Sequence, residues 1–261
     1  MPSYAILGAT GSTGSSILAH LLTRADAHIN LYVRSHAKLL QQNPGLEDKK
    51  HVRIFAGSMD DISLLADCVR GTDAVFSTVA INENVPHMRI AQHAAQCVVA
   101  ALSNNLVADP SAKVPRVVVL SAASIAASVL DPPLSAFEHW MFVTAALNYL
   151  NDDLRHAEAY YRMHSKWLPV TFAQPANIAH DKARGFDLST TKYSQRISYA
   201  DLGAGMVQMA DDEQWIGKRV TLKSHEEDKV KQDIRDLGPL MKGVLAHYLP
   251  SIYWIGRRFG L

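Results

Sequence analysis

The sequence predicts a doubly wound α/β fold, in which helices cover both faces of one mainly parallel sheet. Three observations lead to it. The chain opens with an apolar run at residues 4–7, and a glycine-rich turn, residues 8–14, follows directly. A helix-like pattern with Ile17, Leu18 and Leu21 on one face comes next. Apolar strand-like runs then alternate with helix-like segments, which is typical of parallel strands joined by crossover helices.

Composition excludes several classes of protein. The 261 residues are 48% hydrophobic, enough for one large domain with a buried core. A formal net charge of +1 without a long basic run gives no reason to expect nucleic acid as a partner. No apolar stretch reaches the roughly 18 residues of a membrane span, so no transmembrane span is predicted. A first strand that starts at the N-terminus leaves no room for a signal peptide, so we expect a cytoplasmic protein.

The glycine turn is predicted to bind the phosphates of a nucleotide. Gly8 lets the chain leave the strand, Gly11 lets backbone N–H groups approach a pyrophosphate, and Gly14 lets the helix pack closely. The helix N-terminus adds unpaired N–H donors and a positive dipole end. An ordinary strand-to-helix turn is the alternative. The predicted phosphate-binding residues are Gly8, Thr10, Gly11, Ser12, Thr13 and Gly14.

The end of the second predicted strand, residues 29–33, indicates which dinucleotide binds. An acidic residue here would hold the ribose hydroxyls of NAD, but the sequence has Arg34 and Ser35, with Lys38 close behind. The guanidinium fork of arginine matches a phosphate. The pattern therefore favours the 2′-phosphate of NADP(H) over a merely solvated basic turn.

The loop after the third predicted strand, residues 52–55, is expected to contact the adenine. It would place Ser58 and Met59 along the adenine edge, with Asp60 near the ring amino group. Asp61 is predicted to cap the next helix.

The fourth predicted strand, residues 74–78, ends where the nicotinamide ribose should lie. The expected contacts are Thr78, Val79 and Ala80. Pro86 is predicted to open the following helix, and residues 104–115 to form a polar connector. Further along, Pro175, Ala176 and Ile178 are expected to face the carboxamide of the nicotinamide.

The second half of the chain continues the alternation. Its predicted elements are a strand at 117–120, a helix at 135–149, a helix from Asp152 or Asp153 to about 165, a strand at 170–173, an irregular loop at 180–196, a helix at 201–209 and a strand at 218–222. Cys68 and Cys97 lie in apolar helix-like stretches, so two buried free thiols are expected rather than a disulfide or a metal site.

The tail from residue 225 onward differs from the rest. A charged run at 226–236 precedes two short apolar helices, which Pro250 separates. We predict that residues 1–224 form the NAD(P)-binding domain with its substrate cleft, and that residues 225–261 form a helical extension. The extension is expected to pack on the body or to roof the cleft. A dimer contact or an interfacial membrane helix is the alternative, and the protein is expected to be a monomer or a homodimer.

Several of these motifs resemble those of a known superfamily. The run from Gly8 to Gly14, Arg34-Ser35 and Leu120-Ser121-Ala122 resemble the atypical short-chain dehydrogenases/reductases. The NmrA-like NAD(P)-binding branch is the nearest, a group that includes biliverdin/flavin reductases and fungal secondary-metabolism enzymes of the averufin-oxidase type. The segment from Ala157 to Pro175 resembles the same branch. The resemblance covers residues 3–224 and implies a Rossmann fold and a nicotinamide cofactor, but it specifies the substrate only weakly.

One departure from the superfamily pattern affects the mechanism. Conventional members use a Tyr-x-x-x-Lys pair, in which the lysine helps the tyrosine to donate a proton. Here Tyr149 has Asp153 four residues on, and Tyr161 has Ser165. A carboxylate beside a phenol does not favour the phenolate. The usual proton relay is therefore absent or replaced.

The resemblance nevertheless points to catalytic candidates. It implies that Ser121 hydrogen-bonds the substrate or the nicotinamide, with Ser124 one short turn beyond; a serine that only satisfies backbone groups is the alternative. Tyr149 is a candidate donor to a substrate carbonyl, or else a core tyrosine. Asp153 is expected to be a helix cap rather than an acid catalyst. No G-x-S-x-G elbow supports a hydrolase triad. No metal site is expected, because no metal-ligand spacing links His139, His156, His164 and His180 to a nearby Cys or acid pair.

Three functions fit these observations. The first is an NADPH-dependent reductase that acts on a small, fairly apolar carbonyl, quinone or conjugated substrate. The second is a non-redox isomerase or cyclase that keeps the dinucleotide as structure. The third is an NAD(P)-sensing regulator that binds a partner protein through its tail.

Overall fold

The computed structural model describes residues 1–129, 131, 133–226 and 234–258. Its strands are β1 (Ser3–Leu7), β2 (His28–Val33), β3 (Val52–Ala56), β4 (Ala74–Ser77), β5 (Arg116–Leu120), β6 (Val170–Ala173), β7 (Asn177–Ala179), β8 (Phe186–Ser189), β9 (Arg196–Ser198) and β10 (Arg219–Ser224). Eight of them form one sheet in the order β3-β2-β1-β4-β5-β6-β10-β8, and β7 pairs with β9. Every pair is parallel except β10 with β8.

Helices connect these strands. They are α1 (Ser12–Leu21), α2 (His36–Gln42), α3 (Ile62–Val69), α4 (Ile90–Ala108), α5 (Ala136–Glu138), α6 (Asn148–Met163), α7 (Tyr199–Asp211), α8 (Ile234–Tyr248) and α9 (Pro250–Arg258). Short 3-10 turns lie at Ala123–Val129 and Glu213–Trp215, and a π-helical segment lies at His139–Ala145. The predicted doubly wound fold is confirmed. None of the described helices is both long and apolar enough to cross a bilayer.

Two apolar layers hold the helices on the sheet. On one face, Ile17, Leu18 and Leu21 of α1 pack with Met206 of α7. On the other face, side chains of α3, α4 and α6 pack on the opposite side of the same strands. Each fully buried side chain of this size contributes about 1.5–3 kcal/mol. The sheet is therefore rigid enough to hold the loops at its edge in place.

The strand register determines which loops meet. Leu7, the last residue of β1, lies opposite Tyr32 of β2 and Ser77 of β4. The carboxyl ends of these three strands therefore share one edge. The chain order reverses at β1, since β2 lies on one side of it and β4 on the other. Ligands of open α/β sheets bind in the crevice at such a switch point.

Two predicted helix starts were wrong, for the same reason. The helix α4 begins at Ile90 rather than at Pro86, because the carboxylate of Asp153 accepts the N–H groups of Ala91 and Gln92, each at 2.9 Å. Similarly, α6 begins at Asn148 rather than at Asp152 or Asp153. In both cases a side chain far away in sequence caps the helix, Asp153 for α4 and Asn84 for α6. Local sequence patterns cannot reveal such a cap.

Other boundaries also differ from the prediction. The predicted polar connector at 104–115 is helical up to Ala108, and the predicted helix at 135–149 is one α-helical turn followed by the π-helical segment. The segment at 180–196 is not all irregular, because it contains β8, whose antiparallel partner is β10. Pro250 does begin a new helix, and residues 227–233 of the charged run lie outside the described residues.

Candidate functional site

The glycine turn after β1 is built so tightly that two of its positions accept only glycine. Gly8 has a φ of +91°, and a Cβ on it would lie 3.0 Å from Oγ1 of Thr78. A Cβ on Gly14 would lie 2.8 Å from the carbonyl carbon of Gly8 and 2.9 Å from Cα of Ala9. The first turn of α1 therefore packs directly on the backbone of the turn that precedes it.

The N-terminus of α1 is left open for an anion. Gly11 is its N-cap residue, and no side-chain hydrogen bond caps the helix within the described residues. Its first backbone N–H groups are therefore available to a ligand, and the helix dipole favours negative charge there. A groove of about 410 Å³ adjoins this helix, and its lining residues are Thr10, Ser12, Ser15, Ser16, Ala19, Gln42 and His180.

His180 is a residue of this groove that the sequence did not single out as functional. Its Nε2 lies 3.3 Å from Oγ of Ser12, and its ring packs on Tyr199 with centroids 4.3 Å apart. Since His180 is far from the turn in sequence, no local pattern could have placed it there.

Replacing Gly14 by alanine should loosen this corner. The new methyl group would meet backbone atoms, which cannot turn aside as a side chain can, and overpacking of this kind costs about 1–3 kcal/mol. We expect a lower melting temperature and weaker dinucleotide binding, both measured on the purified variant. Gly238→Ala is the control, because no atom of the described residues lies within 4 Å of a Cβ there. Equal melting temperatures for the two variants would contradict this account of the turn.

The basic residues after β2 lie at the same edge of the sheet. Arg34 and Lys38 are exposed. Oγ of Ser35 accepts the N–H of Lys38 at 3.2 Å and so caps α2. Nε2 of Gln42 donates to the carbonyl of Thr10 at 3.4 Å, which ties α2 to the glycine turn. The chain thus places two exposed cations beside the predicted pyrophosphate site.

The loop after β3 is held by side chains around it. The hydroxyl of Tyr32 donates to the carbonyl of Ser58 at 2.6 Å, and burial, with nearby Asp61 as a smaller cause, raises the pKa of Tyr32 to about 12. Asp61 accepts the N–H three residues on, as a helix cap, so that prediction is confirmed. Asp60 has Nε2 of His93 at 2.9 Å and the hydroxyl of Ser58 at 3.0 Å. Its contact with adenine stays a prediction, as do those of Ser58 and Met59.

The ends of β4 and β6 supply the floor of the crevice. Thr78 is buried, and its hydroxyl donates to the carbonyl of Leu7 at 2.7 Å, which joins the ends of β4 and β1. Val79 and Ala80 follow and are half-buried. The carbonyl of Pro175 accepts the N–H of Ala123 at 2.9 Å. Beyond it, Ala176 is half-buried and Ile178 lies in β7. The contacts that these residues make with a nicotinamide stay predictions.

Ser121 is part of a buried polar network around Glu158. Its hydroxyl donates to Oε1 of Glu158 at 2.8 Å, and Nε2 of Gln174 donates to the same oxygen at 2.7 Å. Oε2 of Glu158 accepts Nε and Nη2 of Arg219, each at 2.9 Å. The side chain of Glu158 is only 3% exposed, so the arginine compensates a buried charge. The sequence drew attention to Glu158 only as part of the superfamily resemblance.

Tyr149 lies in the first turn of α6. Oδ1 of Asn84, a buried residue after β4, accepts the N–H of Tyr149 at 2.8 Å. The ring of Tyr149 is half-buried and packs on His87, with ring centroids 5.4 Å apart. In the described part of the chain, no group hydrogen-bonds its hydroxyl. Asn84 carries no sequence signal for this role, because it acts on a helix more than sixty residues further along.

The other two candidates already have partners inside the protein. The hydroxyl of Ser124 donates to Oδ1 of Asn151 at 2.7 Å, and Nδ2 of Asn151 donates to the carbonyl of Phe142 at 2.8 Å. Asp153 is 2% exposed and caps α4, so it is a helix cap as expected, although of a different helix. Burial raises the pKa of Tyr161, and its hydroxyl lies 3.4 Å from Oγ of Ser77, so Tyr161 is a core residue.

The helix α8 contacts the body beside Tyr149. Nδ2 of Asn84 donates to the carbonyl of Gly243 at 3.0 Å, and a Cβ on Gly243 would clash with the backbone of Ala146. Nε1 of Trp140 donates to the hydroxyl of Tyr248 at 3.3 Å. The tail thus packs against the π-helical segment and Ala146, just before α6, while its division from residues 1–224 as a separate unit stays a prediction.

The switch-point crevice and the open helix N-terminus define the class: a doubly wound dinucleotide-binding protein. A model of the NAD(P)H-binding family matches residues 8–213, and the chain belongs to this family. The predicted membership in the atypical short-chain dehydrogenase/reductase superfamily is confirmed.

Individual relatives agree with this assignment. The chain is 44% identical over 215 residues to oxidoreductase stcQ of Emericella nidulans, which covers 81% of this chain and 78% of that protein. It is 37% identical over 264 aligned positions to oxidoreductase aflX of Aspergillus parasiticus, covering 100% and 96%. The second match includes the tail, so the similarity extends beyond the predicted limit at residue 224.

A solved structure shows the same fold. The short-chain dehydrogenase/reductase of Veillonella parvula in complex with NADP superposes with a TM-score of 0.65. It is 21% identical and covers 88% of this chain and 99% of its own. At this identity the likeness concerns the fold alone.

Proposed function

We propose that this protein is an NADPH-dependent oxidoreductase that reduces a small, fairly apolar carbonyl, quinone or conjugated substrate in secondary metabolism. The observation that carries the proposal is the phosphate-binding corner, where a turn without room for a Cβ at Gly14 precedes an open helix N-terminus. Relatives at 44% and 37% identity are named oxidoreductases, which supports the reaction class. The substrate class follows from the family resemblance.

The preference for NADPH rests on the end of β2. The N–H of Gly8 donates to the carbonyl of Tyr32 at 3.2 Å, so the glycine turn and the residues after Tyr32 are neighbours. Arg34 is exposed there, with Lys38 one turn further. A guanidinium binds a phosphate through two parallel hydrogen bonds, whereas it offers no advantage to the free ribose hydroxyls of NADH.

Replacing Arg34 by glutamate should therefore change the cofactor preference. We expect the Kd for NADPH to rise roughly 10- to 100-fold, because hydrogen bonds to charged groups contribute about 1.5–3 kcal/mol. The Kd for NADH should change little. Calorimetric titration of both dinucleotides measures the two constants. Arg70→Glu makes the same charge change at the end of α3, where Arg70 pairs with Asp67 on the surface, and serves as the control. Equal losses for both dinucleotides would remove the phosphate assignment.

The chain's own residues would bind and orient the substrate. NADPH supplies the hydride when it is bound. Tyr149 is the proposed donor to the acceptor oxygen, because its hydroxyl has no partner among the described residues, whereas those of Ser121 and Ser124 do. The Asn84 hydrogen bond to its backbone would hold Tyr149 in position.

A second candidate is a non-redox isomerase or cyclase. Asp153 stands where the superfamily has its lysine, and its carboxylate is used to cap α4, so the usual relay is absent. A panel of quinones and ketones separates the two functions. Substrate-dependent loss of NADPH absorbance supports the reductase. Product formation at constant NADPH absorbance supports the isomerase, and cofactor binding without any turnover would point to the regulator.

A further inference from the structure

Three side chains with metal-ligating atoms converge between the loop after β3 and the helix α4. Asp60 lies in the loop after β3, and His93 and Cys97 lie one turn apart on α4. Nε2 of His93 is 2.9 Å from Oδ1 of Asp60 and 3.6 Å from Sγ of Cys97. All three ligand atoms lie within 4.8 Å of one another, and no other cluster of this kind is found among the described residues. The sequence predicts no metal site here, because Cys97 lies in an apolar helix-like stretch, where a buried free thiol is expected.

The distances suit a tetrahedral ion. With Zn–S of about 2.3 Å and Zn–N of about 2.0–2.1 Å, a tetrahedral angle separates sulfur and nitrogen by about 3.6 Å. The separation between Sγ of Cys97 and Nε2 of His93 has this value. The Asp60–His93 hydrogen bond would open by about 0.4 Å to admit the ion. Asp60 is 73% exposed, so its carboxylate is free to make that movement.

The pattern of contacts also distinguishes this group from a catalytic triad. In a Cys–His–Asp relay, the thiol and the carboxylate use different ring nitrogens of the histidine. Here both neighbours of His93 meet the same Nε2. Three donors that converge on a point favour a shared central atom. The hydroxyl of Ser58 donates to Oδ2 of Asp60 at 3.0 Å, which orients the carboxylate as the outer hydrogen bonds of metal sites do.

We propose that Asp60, His93 and Cys97 bind one divalent ion of the zinc class, with water in the fourth position. Asp60 and His93 are exposed and Cys97 is 5% exposed, so the ion would enter from the surface while the sulfur lies beneath it. A bound ion would tie the loop after β3 to α4. Asp60 is also predicted to lie near the adenine, so the ion would bind beside the predicted cofactor site, whereas His93 and Cys97 are not among the predicted cofactor or substrate contacts.

Burial, with Asp60 as a smaller cause, raises the pKa of the Cys97 thiol when no metal is bound. Metal ligation requires the thiolate, so binding should release a proton.

Cobalt(II) is the probe for this site. Protein freed of metal by a chelator and kept reduced is titrated with Co²⁺, and then Zn²⁺ is added. We expect one equivalent of Co²⁺ to produce a near-ultraviolet thiolate-to-cobalt band with visible bands of a tetrahedral complex, and Zn²⁺ to abolish them. His93→Ala and Cys97→Ser should lose the thiolate band. They should also weaken Zn²⁺ binding by more than about 100-fold, since loss of even an outer hydrogen-bond partner weakens it roughly 10- to 100-fold.

Cys68→Ser is the matched control, because Cys68 is the other buried free thiol. This substitution should leave the cobalt spectrum unchanged. His93 is 48% exposed, so His93→Ala tests the site even if Cys97→Ser folds poorly. A wild-type cobalt complex without the thiolate band overturns the proposal. Zn²⁺ affinities of both variants within threefold of wild type overturn it as well, and Cys97 would then be an ordinary buried thiol.

Discussion

The Glu158→Ala variant should unfold far more easily than the wild-type protein. Removing this carboxylate leaves Arg219 without its partner and takes acceptors from Ser121 and Gln174. Arg219 is 39% exposed, so water screens its unpaired charge, and the main loss comes from the two buried donors left without an acceptor, at about 1–3 kcal/mol each. For a chain of this size we expect the melting temperature to fall by about 10 °C, which thermal unfolding followed by circular dichroism measures.

The control for this variant is another arginine–carboxylate pair. Nη2 of Arg116 lies 2.6 Å from Oε1 of Glu213, but the Glu213 side chain is 79% exposed. Exposed pairs contribute about 0–1 kcal/mol, so Glu213→Ala should melt within a few degrees of wild type. A Glu158→Ala variant that melts with Glu213→Ala would show that the network around Glu158 contributes little to stability. Glu158→Gln separates charge from shape, since it keeps the volume and removes the partner charge of Arg219.

Replacing Tyr149 by phenylalanine should lower kcat by roughly 100- to 1000-fold, the usual loss when one donor to a developing negative charge is removed. The reason is positional. Asn84 holds Tyr149 at the start of α6. Among the described residues, no group hydrogen-bonds the Tyr149 hydroxyl, so it can bind a ligand. The loss of kcat is measured by steady-state NADPH oxidation with a quinone that the substrate panel identifies as active. The melting temperature should stay near that of wild type, because the ring and its packing on His87 remain.

Ser121→Ala provides the contrast to this variant. The hydroxyl of Ser121 is committed to Glu158, so its removal should cost about 1 kcal/mol of stability and have a smaller effect on kcat than Tyr149→Phe. If Ser121→Ala instead lowers kcat as strongly as Tyr149→Phe does while leaving stability unchanged, then Ser121 contacts the substrate as the resemblance implies. In that case the hydrogen bond to Glu158 must give way in the complex.

Local features of the sequence were enough to predict the phosphate-binding corner. A strand, a glycine turn and an amphipathic helix are contiguous at residues 3–21, and each is encoded by neighbours within a few positions. The same is true of the apolar runs of β4 and β5, which the sequence placed within one residue of their observed ends. The predicted cap at Asp61 also acts within three residues of itself. Short-range physics governs these elements, so a single sequence can reveal them.

The edge strand β8 shows where such reasoning ends. Residues 186–189 alternate apolar and polar side chains over only four positions, and they form a strand because β10 offers an antiparallel partner, with Leu188 opposite Leu222. The starts of α4 and α6 depend in the same way on Asp153 and Asn84. Strand pairing and distant capping join residues that only the folded chain brings together.

The sequence alone therefore determined the fold class, the position of the glycine turn and the placement of basic residues just after β2. Glycine geometry and the periodic burial of apolar side chains are local properties. Only the tertiary structure decided how the polar side chains are used. In the folded chain, Ser121 hydrogen-bonds Glu158, and Asp153 caps α4 instead of its own helix. The ligating atoms of Asp60, His93 and Cys97 lie close together. These outcomes depend on which distant residues share a hydrogen bond or a ligand position, and packing of the whole sheet and its helices settles that.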